Sequence, residues 1–414
     1  MPSGIRKLFT TGLPTIRLLA GHIADASSSM RKFRCSKRRR MKAAHQLRIL
    51  ACWVVSAAFI SSQAAATVLW STLTGGAVDS SPTVVNGIVY VGSDDGSVYA
   101  MNATTGQIVW KTDTGAAVDS SPTLVSGTIY VGADNGLYAI AASTGQVLWK
   151  TTVAAFNSSP TVVNGVVYVG GTDGFYAVDA NTGAVIWKTN TFPTTGLAYN
   201  SSPTVVNGQV YVGADNGLYS IEAATGKITW VLIGGPFDSS PTVENGVIYV
   251  GGSDGFYAVD ANTGAVIWKT NTFPTAGLAF NSSPTVLNGD IYVGGTTGFY
   301  SLDAATGQIL WVTLALQGVE FDSSPVIDKG VVYVGADNGF LYEINAVTGQ
   351  ILLGTLTGGA IDSSPDFANG IVYVGSDDGR VYAITSAAVP EPATLALLGV
   401  GIAGLGFARR RRLN

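Results

Sequence analysis

Ser81-Pro82-Thr83-Val84-Val85-Asn86-Gly87-Ile88-Val89-Tyr90-Val91-Gly92, continuing through Asp94-Asp95-Gly96 to Val98-Tyr99-Ala100-Met101, and through Thr104-Thr105-Gly106 to Gln107-Ile108-Val109-Trp110-Lys111, is the stretch that decides the fold. It contains four short runs rich in Val, Ile, Tyr and Trp, each bounded by Gly, Asn or Asp. That is the signature of four strands joined by tight turns. Asn86-Gly87 is a two-residue hairpin signal, because a type I′ turn needs positive φ at both central residues.

The unit recurs along the chain. Ser-Ser-Pro appears with its proline at 82, 122, 160, 203, 241, 284, 325 and 365, at spacings of 40, 38, 43, 38, 43, 41 and 40. A period near 40 residues in an all-β pattern predicts propeller blades. The fourth strands carry Trp110, Trp149, Trp187, Trp230, Trp268 and Trp311, and the seventh unit has Leu353 in that slot. The eighth unit stops near Ile384 without a fourth strand. The missing piece precedes the first Ser-Ser-Pro, where Thr67-Val68-Leu69-Trp70-Ser71-Thr72 matches a fourth strand. The expected architecture is therefore an all-β, eight-bladed propeller over residues 67–386, closed when the N-terminal strand completes the last blade. Closure removes open sheet edges.

Ala177-Val178-Asp179-Ala180-Asn181-Thr182-Gly183 with Trp187 fits the pattern Ala-x-Asp-x-x-Thr-Gly-x-x-x-Trp, and Ala258 to Trp268 fits again. This unit resembles the PQQ-like, tryptophan-docking propeller repeat. The resemblance implies that its Gly and Trp residues, Trp70 included, dock neighbouring blades. It also spans assembly scaffolds and quinoprotein dehydrogenases, so it names no function. Residues 174–208 and 255–289 are nearly identical at an offset of 81, which points to duplication of a two-blade unit.

The flanking segments read as addresses. Residues 41–66 have a positive start (Lys42, Arg48), an apolar core from Ile49 to Ile60 and small residues at Ala64 to Ala66. This is the layout of a secretory signal peptide. The preceding residues 1–40 hold ten Lys/Arg against the single acid Asp25, and read either as a basic extension or as a mis-assigned start with Met41 as initiator. At the other end, Pro390-Glu391-Pro392 is followed by an apolar run from Ala393 to Ala408 and by Arg409, Arg410, Arg411 and Arg412. As a helix the run spans about 24 Å, and the arginines hold that end on the cytoplasmic side. Residues 389–414 resemble the PEP-CTERM sorting signal. That resemblance implies a Gram-negative bacterium, transient membrane anchoring through the apolar segment, cleavage by an exosortase, and delivery to the cell surface or exopolysaccharide matrix.

Charge and residue types exclude several function classes. Residues 66–386 hold seven Lys/Arg and 25 Asp/Glu, a net charge of −18, so phosphate backbones are repelled and nucleic acid is not an expected partner. Cys35, Cys52, His22 and His45 all precede residue 66. The body therefore lacks the residue types for a disulfide framework, Ser-His-Asp catalysis or a His/Cys metal site. It also lacks the vicinal cysteines that the resemblance to quinoprotein dehydrogenases would require, so no PQQ cofactor and no enzymatic activity are expected. The alternatives are a degenerate quinoprotein and a carboxylate-based carbohydrate enzyme.

Three constellations are candidates for binding. Asp79, Asp119, Asn157, Asn200, Asp238, Asn281, Asp322 and Asp362 precede each Ser-Ser-Pro and should face the central channel. Five carboxylates there suit a hard cation such as Ca²⁺, whereas the simpler role is capping of the following Ser-Ser turn. The Asp-Asn-Gly and Asp-Asp-Gly turns at 94–96, 134–136, 215–217, 337–339 and 377–379 lack the acidic spacing of a calcium loop and read as plain hairpin turns. Two longer loops carry Phe192 with Tyr199 and Phe273 with Phe280, aromatics suited either to stacking on a sugar or protein partner or to packing over their own blades. The expected function is an exported, non-enzymatic scaffold binding exopolysaccharide or surface proteins. A periplasmic scaffold for outer-membrane assembly is the alternative.

Overall fold

The computed structural model describes residues 66–189, 197–270, 279–313 and 319–386. Segments 1–40 and 41–65, Phe192, Phe273 and the sorting segment 389–414 lie outside the described residues. Among the described residues thirty-two strands, numbered in chain order, form eight four-stranded antiparallel sheets. In blade 1 the order is β2 (Thr83–Val85), β3 (Ile88–Ser93), β4 (Ser97–Asn102) and β5 (Ile108–Asp113), from the channel outwards. The hairpin between β2 and β3 is set by Asn86 and Gly87, with φ of 51° and 77°. Thr83 pairs with Tyr90 and Val85 with Ile88.

Blade 8 is completed from the other end of the chain. Its order is β1 (Val68–Leu73), β32 (Arg380–Thr385), β31 (Ile371–Ser376) and β30 (Asp366–Ala368). Trp70 lies opposite Ala383 and Thr72 opposite Val381. The Thr385 amide donates to the Thr67 carbonyl at 3.0 Å. The eight-bladed propeller and its N-terminal closure are thus as the repeat count predicts.

The core lies between blades rather than within them. Tyr90, Val98 and Ala100 of blade 1 pack against Ile129, Val131, Tyr138 and Ile140 of blade 2, and equivalent clusters recur around the ring. Middle strands are consequently buried on both faces, while outer strands are largely exposed. Close approach explains the invariant Tyr-Val-Gly of each second strand. A Cβ on Gly92 would lie 2.3 Å from the Val118 carbonyl oxygen.

Each tryptophan is a bolt between blades. The indole N–H groups of Trp70, Trp110, Trp149, Trp187, Trp230, Trp268 and Trp311 donate at 2.9 to 3.1 Å to the carbonyls of Ala103, Ala142, Ala180, Ala223, Ala261, Ala304 and Ala346 in the next blade. The ring also covers the glycine of the next Thr-Gly turn. Gly106 has φ of +71°, and a Cβ there would sit 2.7 Å from the Trp70 ring. Both constraints demand glycine.

Candidate functional site

The inner ends of the blades are laced by serine. The second serine of each Ser-Ser-Pro donates its amide to the matching hydroxyl of the next blade. Ser81 donates to Ser121 at 2.9 Å, Ser121 to Ser159 at 2.9 Å, and so on until Ser364 donates back to Ser81 at 2.8 Å. The first serine works within its blade, where the Ser80 hydroxyl accepts from the Gly92 amide at 3.0 Å. This closed ring holds the residue before each Ser-Ser-Pro at one mouth of the channel.

That mouth is where the predicted Asp/Asn ring stands, and it has a second layer. The turn between the second and third strands of each blade sits beside the ring, as when the Asp94 amide donates to the Ala77 carbonyl at 3.0 Å and the Asp377 amide to the Ala360 carbonyl at 3.0 Å. The turns bring in Asp94, Asp134, Thr172, Asp215, Ser253, Thr296, Asp337 and Asp377, each fifteen residues after its ring partner. Reading the two motifs separately missed this layer, although the fixed spacing of fifteen was visible. Two ring amides also reach carboxylates of the rim. Asn200 Nδ2 donates to Asp215 Oδ1 at 3.4 Å, and Asn281 Nδ2 to Asp322 Oδ1 at 3.3 Å.

The doubled rim is lopsided. Blades 7, 8, 1 and 2 contribute Asp322, Asp337, Asp362, Asp377, Asp79, Asp94, Asp119 and Asp134, a continuous arc of carboxylates. Of the eight positions in the opposite half only Asp215 and Asp238 are acidic; the other six are Asn157, Thr172, Asn200, Ser253, Asn281 and Thr296. Burial and then the neighbouring Asp94 and Asp377 push the Asp79 carboxyl up to about 7. Burial first, with like charges second, raises Asp119, Asp337 and Asp362 to about 6. Asp238 and Asp322 are raised by burial, which the amides of Asn200 and Asn281 oppose. Among the described residues no three His, Cys, Asp or Glu side chains are grouped to hold a metal ion.

A pH dependence follows from these directions. A carboxylate raised in the folded state binds more protons there than in the unfolded chain, so its contribution is present at low pH and lost as pH rises through 6 to 7. Melting is expected at higher temperature at pH 5 than at pH 8. Discounted for solvent reaching the rim, the gain is about 1–2 kcal/mol. Asp79→Asn with Asp362→Asn should flatten the profile, and an unchanged profile in that double variant would count against the rim as its source. The lowered carboxylates oppose this only below about pH 4. Among them is Asp95, whose burial is outweighed by Tyr99 and Lys111.

The aromatic candidates require a correction. Tyr199 and Phe280 are not available for stacking on a partner, being 1% and 0% exposed. Each occupies the slot filled by Phe156, Phe237 and Phe321 in sister blades, edge-on between rings such as Phe175 and Tyr219. A large apolar ring is worth more in that interblade gap than at the surface. The Tyr199 hydroxyl has no hydrogen-bond partner there.

Against this geometry the relatives can be placed. The family described as outer membrane protein assembly factor BamB matches residues 57–154, 133–236, 231–321 and 300–388, covering the whole body. The chain belongs to this BamB-type, PQQ-like repeat family. The PEP-CTERM protein-sorting motif matches residues 388–412. No curated protein matches the chain. Among solved structures, BamB from Moraxella catarrhalis is similar with a TM-score of 0.66 and 21% identity, over 78% of this chain and 100% of that one. The computationally designed Ika8 protein has a TM-score of 0.66 and 19% identity, over 77% and 99%. Quinohemoprotein alcohol dehydrogenase from Comamonas testosteroni has a TM-score of 0.64 and 18% identity, over 79% and 78%. At these identities the likeness carries the fold alone. The PEP-CTERM motif implies exosortase-mediated export toward the cell surface.

Proposed function

We propose that this BamB-type propeller is a non-enzymatic binding scaffold, carried by its sorting motif to the cell surface or exopolysaccharide matrix. The observation that carries the reading is the place where the chain leaves the ring. β32 ends and β1 begins on the face of the hairpins that join the first and second strands of each blade, where the Ser386 amide donates to the Gly370 carbonyl at 3.3 Å. The acidic rim is on the opposite face. Only residues 387–392 separate Ser386 from the apolar run that starts at Ala393. At 3.3–3.6 Å per residue that connection reaches about 25 Å at most. A body tethered this way presents its rim outward, away from the membrane that holds the tail. The rim's charge favours neutral or cationic partners over polyanions.

The test is to map the mature termini by mass spectrometry in the native host, with and without its exosortase. The expected result is an N-terminus near residue 66, a C-terminus around Pro390-Glu391-Pro392, and processed protein outside the cell. Intact protein retained in the periplasm would instead support an assembly scaffold, the reading that the family's namesake favours. Binding is then tested with the exported polysaccharide and surface proteins of that host. A body that binds none of them would overturn the scaffold role.

A further inference from the structure

The seam between blades 7 and 8 is built unlike the other seven. In each of those a tryptophan on the outer strand faces a small residue on the strand beside it: Ala100 faces Trp110, Ala177 faces Trp187 and Ser301 faces Trp311. Blade 7 instead pairs Glu343 of β28 (Phe340–Asn345) with Leu353 of β29 (Ile351–Leu356). Facing residues project from the same side of a sheet. A carboxylate and an isobutyl group therefore stand where the ring and its small neighbour stand elsewhere. Glu343 is 1% exposed, and a carboxylate so enclosed is stable only when hydrogen-bonded. Its surroundings include the point where the chain leaves the ring. Burial raises the Tyr333 phenol, a hydrogen bond with the Ser386 side chain opposes the rise, and the charges of Glu343 and Asp328 add to it.

Blade 8 has changed to match. In blades 1 to 7 a glycine four residues past the end of the third strand lies under the tryptophan of the preceding blade. A Cβ on Gly349 would stand 2.5 Å from the Trp311 ring. Counted the same way from Thr385, the end of β32, that position in blade 8 is Val389. The wider residue thus falls at the one seam whose ring is missing. The chain still follows its sisters' path at Ser386, whose amide donates to Gly370 as the Ala103 amide does to Gly87. Val389 does not suit the turn that follows. The seven glycines there have φ of +69° to +74°, and Val389 precedes Pro390, which restricts it to extended backbone. The amides of this stretch also lose their usual acceptor. In blade 3 Asp179 Oδ1 accepts from Asn181 at 3.0 Å and from Thr182 at 2.8 Å. Thr385 holds that position in blade 8, and its hydroxyl is engaged with Thr67, accepting from the amide at 2.9 Å.

We propose that the seam of blades 7 and 8 is a docking site for the start of the sorting segment, Ala387-Ala388-Val389. Val389 packs on Leu353 in the space that a tryptophan ring takes elsewhere, and the Glu343 carboxylate accepts from the amides of Ala387 and Ala388. Connection selects the occupant. Ser386 already stands at the seam, and three extended residues reach about 10 Å at most. The contact is autoinhibitory. It holds Pro390-Glu391-Pro392 against blade 7, so a protease that takes an extended chain cuts only the undocked tail. That consequence rests on the exosortase reading of the tail, whereas the docking does not.

The experiment is hydrogen exchange read by mass spectrometry on the full chain, purified in detergent from a host without exosortase. In the wild type the amides of residues 387–389 should exchange at least about 10-fold more slowly than in an unfolded chain. Glu343→Ala with Leu353→Trp rewrites blade 7 as a sister blade. It should abolish that protection while leaving the melting temperature no lower than in the wild type. Val389→Asp, which alters nothing in the body, should abolish it too, and it decides the matter alone if the double variant melts lower. Pulse-chase in a host with exosortase should show the double variant processed up to about 10-fold faster, because a site open a tenth of the time reacts at a tenth of the rate. Wild-type amides exchanging at the unfolded rate, or protection that survives these variants, would overturn the docking. Protection lost with no gain in processing would overturn the autoinhibition. If neither chain is processed, the exchange result still decides the docking, and it is the sorting reading that fails.

Discussion

Deleting residues 66–73 is expected to lower the melting temperature by more than about 10 °C and to turn a monodisperse protein into an aggregating one. β1 is the whole outer strand of blade 8, and it carries the Trp70 bolt to the Ala103 carbonyl of blade 1. Loss of that indole alone costs about 3 kcal/mol or more by analogy with other large aromatic deletions. Loss of the strand also bares the edge of β32, where Val381 and Ala383 are fully buried in the intact ring. An unpaired apolar edge is an aggregation template. Circular dichroism melting and light scattering on the deletion protein provide the check. A monomeric protein with an unshifted transition would mean that the ring does not depend on closure by its N-terminal strand.

Trp187→Ala should destabilise by about 3–5 kcal/mol, measured as a shift in denaturant midpoint. The ring lies 6.0 Å from Tyr168 and 6.1 Å from Phe175, and its N–H bonds Ala223 at 3.1 Å. Removing it leaves a cavity between blades 3 and 4 and an acceptor without its donor. Trp187→Leu should fall between wild type and alanine, because blade 7 is built with Leu353 in the same slot. A leucine variant no better than alanine would assign the stability to the hydrogen bond rather than to the packed volume.

Fold and candidate site were not equally legible in the sequence. The blades could be counted because each strand is a short alternation closed by a turn whose chemistry is local. Asn86-Gly87 adopts its positive φ whatever surrounds it. The borrowed strand could be assigned because Trp70 matches a slot that the eighth unit leaves empty. Exposure was a different matter. Tyr199 and Phe280 follow long loops, a position that suits a surface aromatic as well as a packed one, yet neighbouring blades enclose them. Whether a side chain at a blade boundary is buried depends on the blade that faces it, some forty residues away.

The same division runs through the rim. Composition determined that the body is acidic, and the repeat determined that an Asp or Asn precedes every Ser-Ser-Pro. Only closure of the ring decided that Asp322 and Asp134, at opposite ends of the chain's count, belong to one continuous arc. Closure also decided that the carboxylates crowd enough to lift Asp79 to about 7. Local turn and strand signals act over a few residues and survive translation into sequence. Interactions across blade boundaries depend on the circular order of the blades, and that order exists only once residue 68 lies beside residue 384.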